Sequence, residues 1–370
     1  MSDLNINFHE YFNLENVGEH ISQLDTPVPL IDVDIALRNL TRWQKKCDER
    51  GIANRPHIKT HKLVGFAKIQ IALGAKGITV QKLGEAEVMS ASGIRDILLT
   101  FNVVGEGKIA RLAAVMKKAS MRVVADNESV LTSLQKAALL AGQDLGVFVE
   151  CDTGAARNGV QTPMDALRLA QLIAKSPGLK FLGLMTYPKP GGRVTSAQFI
   201  RDAKMLIHAA GLEVHEVSSG GTPDMWSDEG LEDVTEYRAG TFIYGDRSMV
   251  QRGMWSYDDC ALTVLTTVVS TPTKQRAIID AGSKALTSDL LGMQGYGVAP
   301  KAEHAPVYDL SEEHGFLNTE NLSAPPRTGD TLRIVPNHVC PVSNLFDRVV
   351  LVRGDEVLGA VRVDARGKVQ

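Results

Sequence analysis

Four short runs of this chain carry side chains whose chemistry goes beyond packing. The first is Arg55-Pro56-His57-Ile58-Lys59-Thr60-His61-Lys62, read as the end of a short β-type segment. An amine at the C-terminal end of a barrel strand opens into the barrel mouth, where it can condense with a carbonyl. A solvated basic loop is the plain alternative, and the strand position weighs against it. Lys59 is the better placed lysine because it continues the alternation set by His57, whereas Lys62 falls in the first turn of the helix expected next. The second run is Ser218-Ser219-Gly220-Gly221-Thr222, followed further along by Gly240-Thr241. Glycine lets backbone N–H groups approach a phosphate closely, and the Thr222 hydroxyl adds a donor. A glycine pair alone is more often a turn, so the weight rests on two such loops after successive strands, where barrels commonly hold phosphate. The third run, Asp152 to Gly159, brings Arg157 to the same end of a strand; its fixed charge and planar fork suit a phenolate or carboxylate, although pairing with a helix C-terminus explains an arginine equally well. The fourth is Asn337-His338-Val339-Cys340-Pro341. On a strand, residues two apart share one face, so His338 and Cys340 are expected to reach one cation, with water or substrate filling the open positions.

These residues need a frame. From residue 55 onward, short apolar or β-branched runs alternate with amphipathic stretches. Eight candidate strands are Arg55–Lys59, Gly77–Gln81, Asp96–Thr100, Arg122–Asp126, Gly146–Asp152, Phe181–Tyr187, Val214–Ser218 and Val234–Arg238. Helical patterns lie between them at Ile109–Lys118, Glu128–Ala141 and Met164–Ala174. Eight strands with helical crossovers predict an α/β fold of the (β/α)8 TIM-barrel type. After residue 258 the texture turns to β runs at Ala261–Thr271, Gln275–Asp280, Thr331–Val335, Arg348–Val352 and Glu356–Val363. The expected organisation is an N-terminal extension (1–25), a barrel (26–257) and a C-terminal, mainly β domain (258–370), which the early run Val28–Val33 joins as a strand.

Composition narrows the function. In 370 residues, 44% are hydrophobic and 22% charged, the profile of a soluble globular chain. Forty basic against 43 acidic side chains leave a net charge of −3, with no footprint for nucleic acid or an anionic membrane. No run approaches the roughly 18 apolar residues that span a bilayer, and Met1–Glu19 lacks a signal-peptide pattern. Four cysteines (Cys47, Cys151, Cys260, Cys340) without paired spacing point to a reducing, cytoplasmic setting. Three of them are expected to pack, and Cys340 to ligate.

Taken together, the motifs resemble the D-threonine aldolase and D-serine dehydratase family: residues 55–62, 152–159, 218–222, 237–245, 280–286, 312–315 and 336–340 match in order. The resemblance implies pyridoxal 5′-phosphate (PLP) bound in an alanine-racemase-type barrel, a divalent metal beside it, a small D-amino acid substrate and a homodimer. Residue by residue, it implies that Lys59 carries the cofactor and that Ser219, Gly220, Gly221, Thr222, Gly240 and Thr241 cradle its phosphate. His57 lies with the cofactor-binding residues, Arg157 near the ring hydroxyl, Tyr187 against the cofactor, Arg238 facing the pyridine nitrogen and His314 near substrate. His338 and Cys340 become the metal pair.

Two departures bear on the reaction. Aldolases of the family typically carry His-x-Asp at the metal pair, whereas His-x-Cys is like the dehydratases, and a thiolate favours zinc over manganese or magnesium. The loop Tyr187-Pro188-Lys189-Pro190-Gly191-Gly192 also lacks the histidine that a base on the substrate hydroxyl would require. The expected activity is therefore dehydration of a D-3-hydroxy amino acid to a keto acid and ammonia. Retro-aldol cleavage to glycine and an aldehyde is the alternative. Weaker rivals are an amino-acid racemase, which needs an opposing tyrosine, and a non-catalytic PLP-binding protein, which needs no second domain.

Overall fold

The computed structural model describes residues 6–370; the first five residues of the expected extension lie outside the described residues. Two compact units make up the chain. One comprises Trp43–Lys59, Ala67–Gly240 and Lys368–Gln370, the other the residues up to Arg42, Thr60–Phe66 and Thr241–Gly367. The N-terminal segment thus groups with C-terminal residues, and the second unit resumes at Thr241 rather than at residue 258.

The first unit is the parallel barrel. Its strands are β2 (Ala53–Asn54), β3 (Ile78–Val80), β4 (Asp96–Leu99), β5 (Ser120–Ala125), β6 (Leu145–Cys151), β7 (Leu179–Thr186), β8 (Glu216–Ser219) and β9 (Glu236–Tyr237); β1 (Val28–Asp32) lies in the other unit. They pair in the order β2-β9-β8-β7-β6-β5-β4-β3. The ring closes beyond the regular end of β2, where Ile58 N donates to Thr79 O (2.9 Å), Thr79 N to Pro56 O (2.8 Å) and His57 N to Ala239 O (2.8 Å). The crossover helices begin and end where local chemistry demands. Glu128–Ala141 is capped by the Asn127 side chain, which accepts from Val130 N, and stops at Gly142, whose φ of +67° is left-handed. Pro163–Lys175 starts on a Thr162 cap with proline in its first turn.

The strand register assigns the lumen. Leu98↔Arg122, Val124↔Phe148, Glu150↔Met185, Met185↔Ser218, Ser218↔Glu236 and His57↔Thr79 are paired, so alternation places them all on one face. At its N-terminal end, Arg55 bonds Glu236 and Asp96, while Arg122 bonds Glu216. A layer of Leu98, Val124, Phe148 and Met185 packs next. Above it, toward the strand C-termini, come His57, Asp126, Glu150 and Arg238. The barrel is therefore filled, and its chemistry is confined to one end.

The second unit is antiparallel, apart from β1 against β16. Its remaining strands are β10 (Leu262–Thr273), β11 (Arg276–Ile279), β12 (Gly297–Ala299), β13 (Ala305–Leu310), β14 (Gly315–Asn318), β15 (Thr331–Pro336), β16 (Arg348–Arg353) and β17 (Glu356–Arg362). The pairings β10-β11-β14-β13-β12-β15-β10 form a closed ring. β1 pairs antiparallel with β10 and parallel with β16. Leu30, Leu265, Val350 and Val352 bury that junction. Among the described residues, no helix is long and apolar enough to cross a membrane.

Two local expectations are corrected. Lys62 is not in a helix: its φ is +55°, it is buried, its Nζ donates to Ala365 O (3.4 Å), and the helix starts at Val64. His338 and Cys340 are not on a strand either. β15 ends at Pro336, His338 caps the helix Val339–Leu345, and Pro341 sits in its first turn, where a missing N–H costs nothing.

Candidate functional site

In the barrel unit, Lys59 is half-buried one step past the closing segment. Its backbone N–H points at His57 Nδ1 (3.4 Å), and His57 Nε2 lies 3.1 Å from Gln81 Oε1. Gln81 spends its own N–H on Thr100 O (2.9 Å), so its oxygen faces the imidazole. These bonds assign the neutral, Nε2-protonated tautomer. Burial first, and then Lys59, Arg238 and Arg157, hold His57 well below its ordinary pKa.

Ser218 and Ser219 end β8, and Gly220 and Gly221 follow it. Gly220 has φ +93°, and a Cβ there would lie 2.3 Å from the ring of Tyr237, whose hydroxyl donates to Gly221 O (3.0 Å). A Cβ on Gly221 would lie 2.6 Å from the Tyr187 ring. Only bare backbone fits between the two aromatic rings. Thr222 Oγ1 accepts from Gly240 N (3.2 Å), which ties the two loops together and occupies that amide. Arg238 is buried; it donates to Ser218 Oγ (2.7 Å), Thr186 O (2.8 Å) and Met185 Sδ (3.0 Å). Burial lowers its pKa to about 10, and Glu236 and Glu150 act in the opposite sense.

Arg157 stands over the Tyr187 ring at 5.1 Å and donates through Nε to Asn158 Oδ1 (3.1 Å). Sequence reasoning missed Glu150, whose side chain is 2% exposed. Its signal was a glutamate inside the apolar run Gly146–Cys151, in phase with Phe148 on the lumen face.

In the second unit, Cys340 Sγ lies 3.2 Å from Thr60 Oγ1 and 3.8 Å from Thr241 Oγ1. Those threonines directly follow Lys59 and Gly240 in the chain. Cys47, Cys151 and Cys260 are buried, Cys340 is partly exposed, and burial raises the Cys47 thiol to about 12. His338 Nδ1 contacts Asp289 Oδ2 at 2.8 Å, and its side chain also hydrogen-bonds that of Cys340. Buried Asp246 accepts from Val339 N (3.3 Å) and thereby anchors the corner. Neither Asp289 nor Asp246 was singled out from sequence, because only the fold brings them to the corner. Among the described residues, no group of three or more His, Cys, Asp or Glu side chains is gathered as a metal site, so the pair stands as two donors. His314 is exposed in the hairpin turn between β13 and β14, where its carbonyl accepts from Ser311 N (2.8 Å).

Comparison with known proteins follows this division. The family model "Alanine racemase, N-terminal domain" matches residues 31–248, and "Putative serine dehydratase domain" matches residues 261–352. A D-threonine aldolase of Arthrobacter sp is 33% identical over 364 residues, 95% of each chain. The chain belongs to the D-threonine aldolase and D-serine dehydratase family. Solved members of that family share its fold: the D-threonine aldolase of Filomicrobium marinum superposes with a TM-score of 0.89 at 30% identity, covering 97% of this chain and 100% of that one. A D-threo-3-hydroxyaspartate dehydratase with one cysteine replaced by alanine, described as a metal-free form, gives 0.83 at 28% identity over 93% of this chain and 99% of that one.

Proposed function

We propose that this family member is a PLP- and metal-dependent lyase that removes water from D-amino acids bearing a 3-hydroxyl, yielding a keto acid and ammonia. The observation that carries the choice of reaction is the corner at His338, where an imidazole oriented by Asp289 neighbours the thiol of Cys340. An imidazole and a thiolate form a borderline-soft donor pair that suits zinc better than manganese or magnesium, and a carboxylate on the far ring nitrogen is the usual support of a metal-binding histidine. The metal-free form of a related dehydratase lacking one cysteine supports the same assignment.

The barrel residues fit PLP on the same terms. Gly220 and Gly221 offer backbone that side chains would block, Ser219, Thr222, Gly240 and Thr241 flank it, and Lys59 supplies the amine. When bound, PLP supplies the electron sink at the substrate α-carbon and the metal a Lewis acid at its 3-oxygen. The remaining work belongs to the chain. Lys59 Nζ takes the α-proton. Arg157 and Tyr187 fix the ring plane and its oxygen, His57 stays neutral beside them, and Arg238 keeps a cation on the lumen side.

Retro-aldol cleavage is the second reading, favoured by the high similarity to D-threonine aldolases. It needs a base on the 3-hydroxyl, and Tyr187–Gly192 contains no histidine. Incubation with D-serine, D-threonine and D-threo-3-hydroxyaspartate, with and without EDTA, separates the readings. Keto acid plus ammonia, lost on chelation, is expected. Glycine plus aldehyde would select the aldolase, and chelator-insensitive racemisation would remove both. A homodimer and a cytoplasmic location complete the proposal, supported by the family resemblance; light scattering and cell fractionation test them.

A further inference from the structure

Glu150 faces the barrel lumen, two residues beyond Phe148 and paired with Met185. A carboxylate in such a place is costly unless it is bonded. Its partners come from the turn that begins two residues later. Asn158 Nδ2 donates to Glu150 Oε2 (2.7 Å), and Arg157 Nη2 lies 3.9 Å from Glu150 Oε1. Asn158 Oδ1 accepts from Arg157 Nε (3.1 Å), so glutamate, asparagine and arginine close a small ring of polar contacts in which the asparagine has one satisfactory orientation. The turn is folded back elsewhere as well. Asp152 Oδ1 accepts from Gly154 N (3.0 Å) and Ala156 N (3.1 Å), Gly159 N donates to Asp126 Oδ2 (3.1 Å), and Val160 N returns to Glu150 O (2.8 Å). Of these contacts, only the ring through Glu150 reaches the arginine side chain.

We propose that Glu150 is a positioning residue: its carboxylate, gripped by Asn158 and facing Arg157, holds the guanidinium over Tyr187 and sets the charge beneath whatever occupies the barrel mouth. The step from positioning to catalysis rests on the functional reading above, in which Arg157 and Tyr187 face the cofactor. The charged groups around Glu150 are Asp126 at the end of β5, Arg157 on its own turn and Arg238 after β9. Burial raises the Glu150 pKa to about 7 against the pull of both arginines, so the grip changes strength near neutrality.

Two measurements decide the matter. In the protein without added cofactor, trypsin cleavage after Arg157 reports how firmly the turn is held. Glu150→Gln is expected to be cut about tenfold faster than the unaltered chain, consistent with loss of one charge-assisted contact, and Glu150→Asp at an intermediate rate. In the holoenzyme, the visible absorbance of bound PLP and kcat/KM are expected to titrate near neutral pH in the unaltered protein and in Glu150→Asp, and to be flat in Glu150→Gln. Equal cleavage rates and superimposable pH profiles would overturn the proposal. Should Glu150→Gln fail to fold by circular dichroism, Glu150→Asp carries both tests. Failure of the unaltered protein to take up PLP would remove the functional reading and leave the cleavage test standing.

Discussion

The pair Arg55–Glu236 offers the sharpest test of how the barrel is held. Both side chains are essentially inaccessible, with Arg55 0% and Glu236 1% exposed and 2.5 Å between Nε and Oε2. Burial works against the arginine's charge, but Glu236 and Asp96 outweigh it and hold the guanidinium cationic. Glu236→Gln keeps the shape and removes one charge. Losing one partner of a buried pair costs about 3–5 kcal/mol. Because Asp96 still accepts two bonds from Arg55 (2.7 and 3.2 Å), the lower end applies. Ser218, which donates to Glu236 Oε1 (2.6 Å), also meets an amide donor and loses about 1 kcal/mol. The expected loss is therefore about 4 kcal/mol. Arg55→Met strands a carboxylate instead and should cost about 5 kcal/mol, while the double variant loses less than the sum. Urea unfolding followed by Trp43 and Trp226 fluorescence reads the barrel unit, which holds both, provided Trp255 in the other unit is replaced by Phe. A loss under about 1 kcal/mol for Glu236→Gln, or strict additivity in the double variant, would refute the reasoning.

Four further outcomes are expected. Gly220→Ala combines a left-handed φ with a Cβ 2.3 Å from the Tyr237 ring; it should destabilise the barrel by about 3 kcal/mol and abolish PLP uptake, read by unfolding and visible absorbance. Because Glu150 shifts from 4.5 to about 7, the folded chain holds that proton more tightly, so stability is greatest below the lower value and falls by roughly 3 kcal/mol as pH rises through that window; Glu150→Gln should lack this slope in urea titrations at stepped pH. Cys340→Ala should drop bound metal well below one equivalent by elemental analysis while leaving the melting temperature nearly unchanged, since the thiol is only partly buried. Lys59→Ala should lose the visible band of lysine-bound PLP while circular dichroism stays intact.

Much of this molecule was legible because period and burial agree. Leu145–Cys151 and Leu179–Thr186 are long, apolar and flanked by helical patterns, so their strands announce themselves. The barrel-closing segment is harder: only Ala53–Asn54 pairs regularly, and the rest is held by bonds to Thr79 and Ala239 that no local signal encodes. His338 and Cys340 lie on a helix start rather than on the strand that alternation suggested. Alternation was extended through a sequence in which Pro341 already marked a helix start. Glu150 and Asp289 escaped notice because their roles arise from partners, respectively the folded-back turn and an imidazole 49 residues away. The Gly240 amide donates to Thr222 Oγ1, a bond between two loops that no local signal encodes. Pattern recognises residue types well; it does not count which donors remain after the chain has bonded itself.

The seating of β1 has a consequence for biosynthesis. Leu30, Ile31 and Asp32 pair with Val350, Leu351 and Val352, so β1 is synthesised long before its parallel neighbour β16, and its antiparallel neighbour β10 follows only after the barrel strands. The barrel strands emerge in between and can close on their own pairings. A nascent chain lacking β16 therefore displays an apolar strand with an open edge, the kind of surface that chaperones hold and that aggregates in their absence. Synthesis of β16, rather than collapse of the barrel, becomes the event that completes the seating of β1.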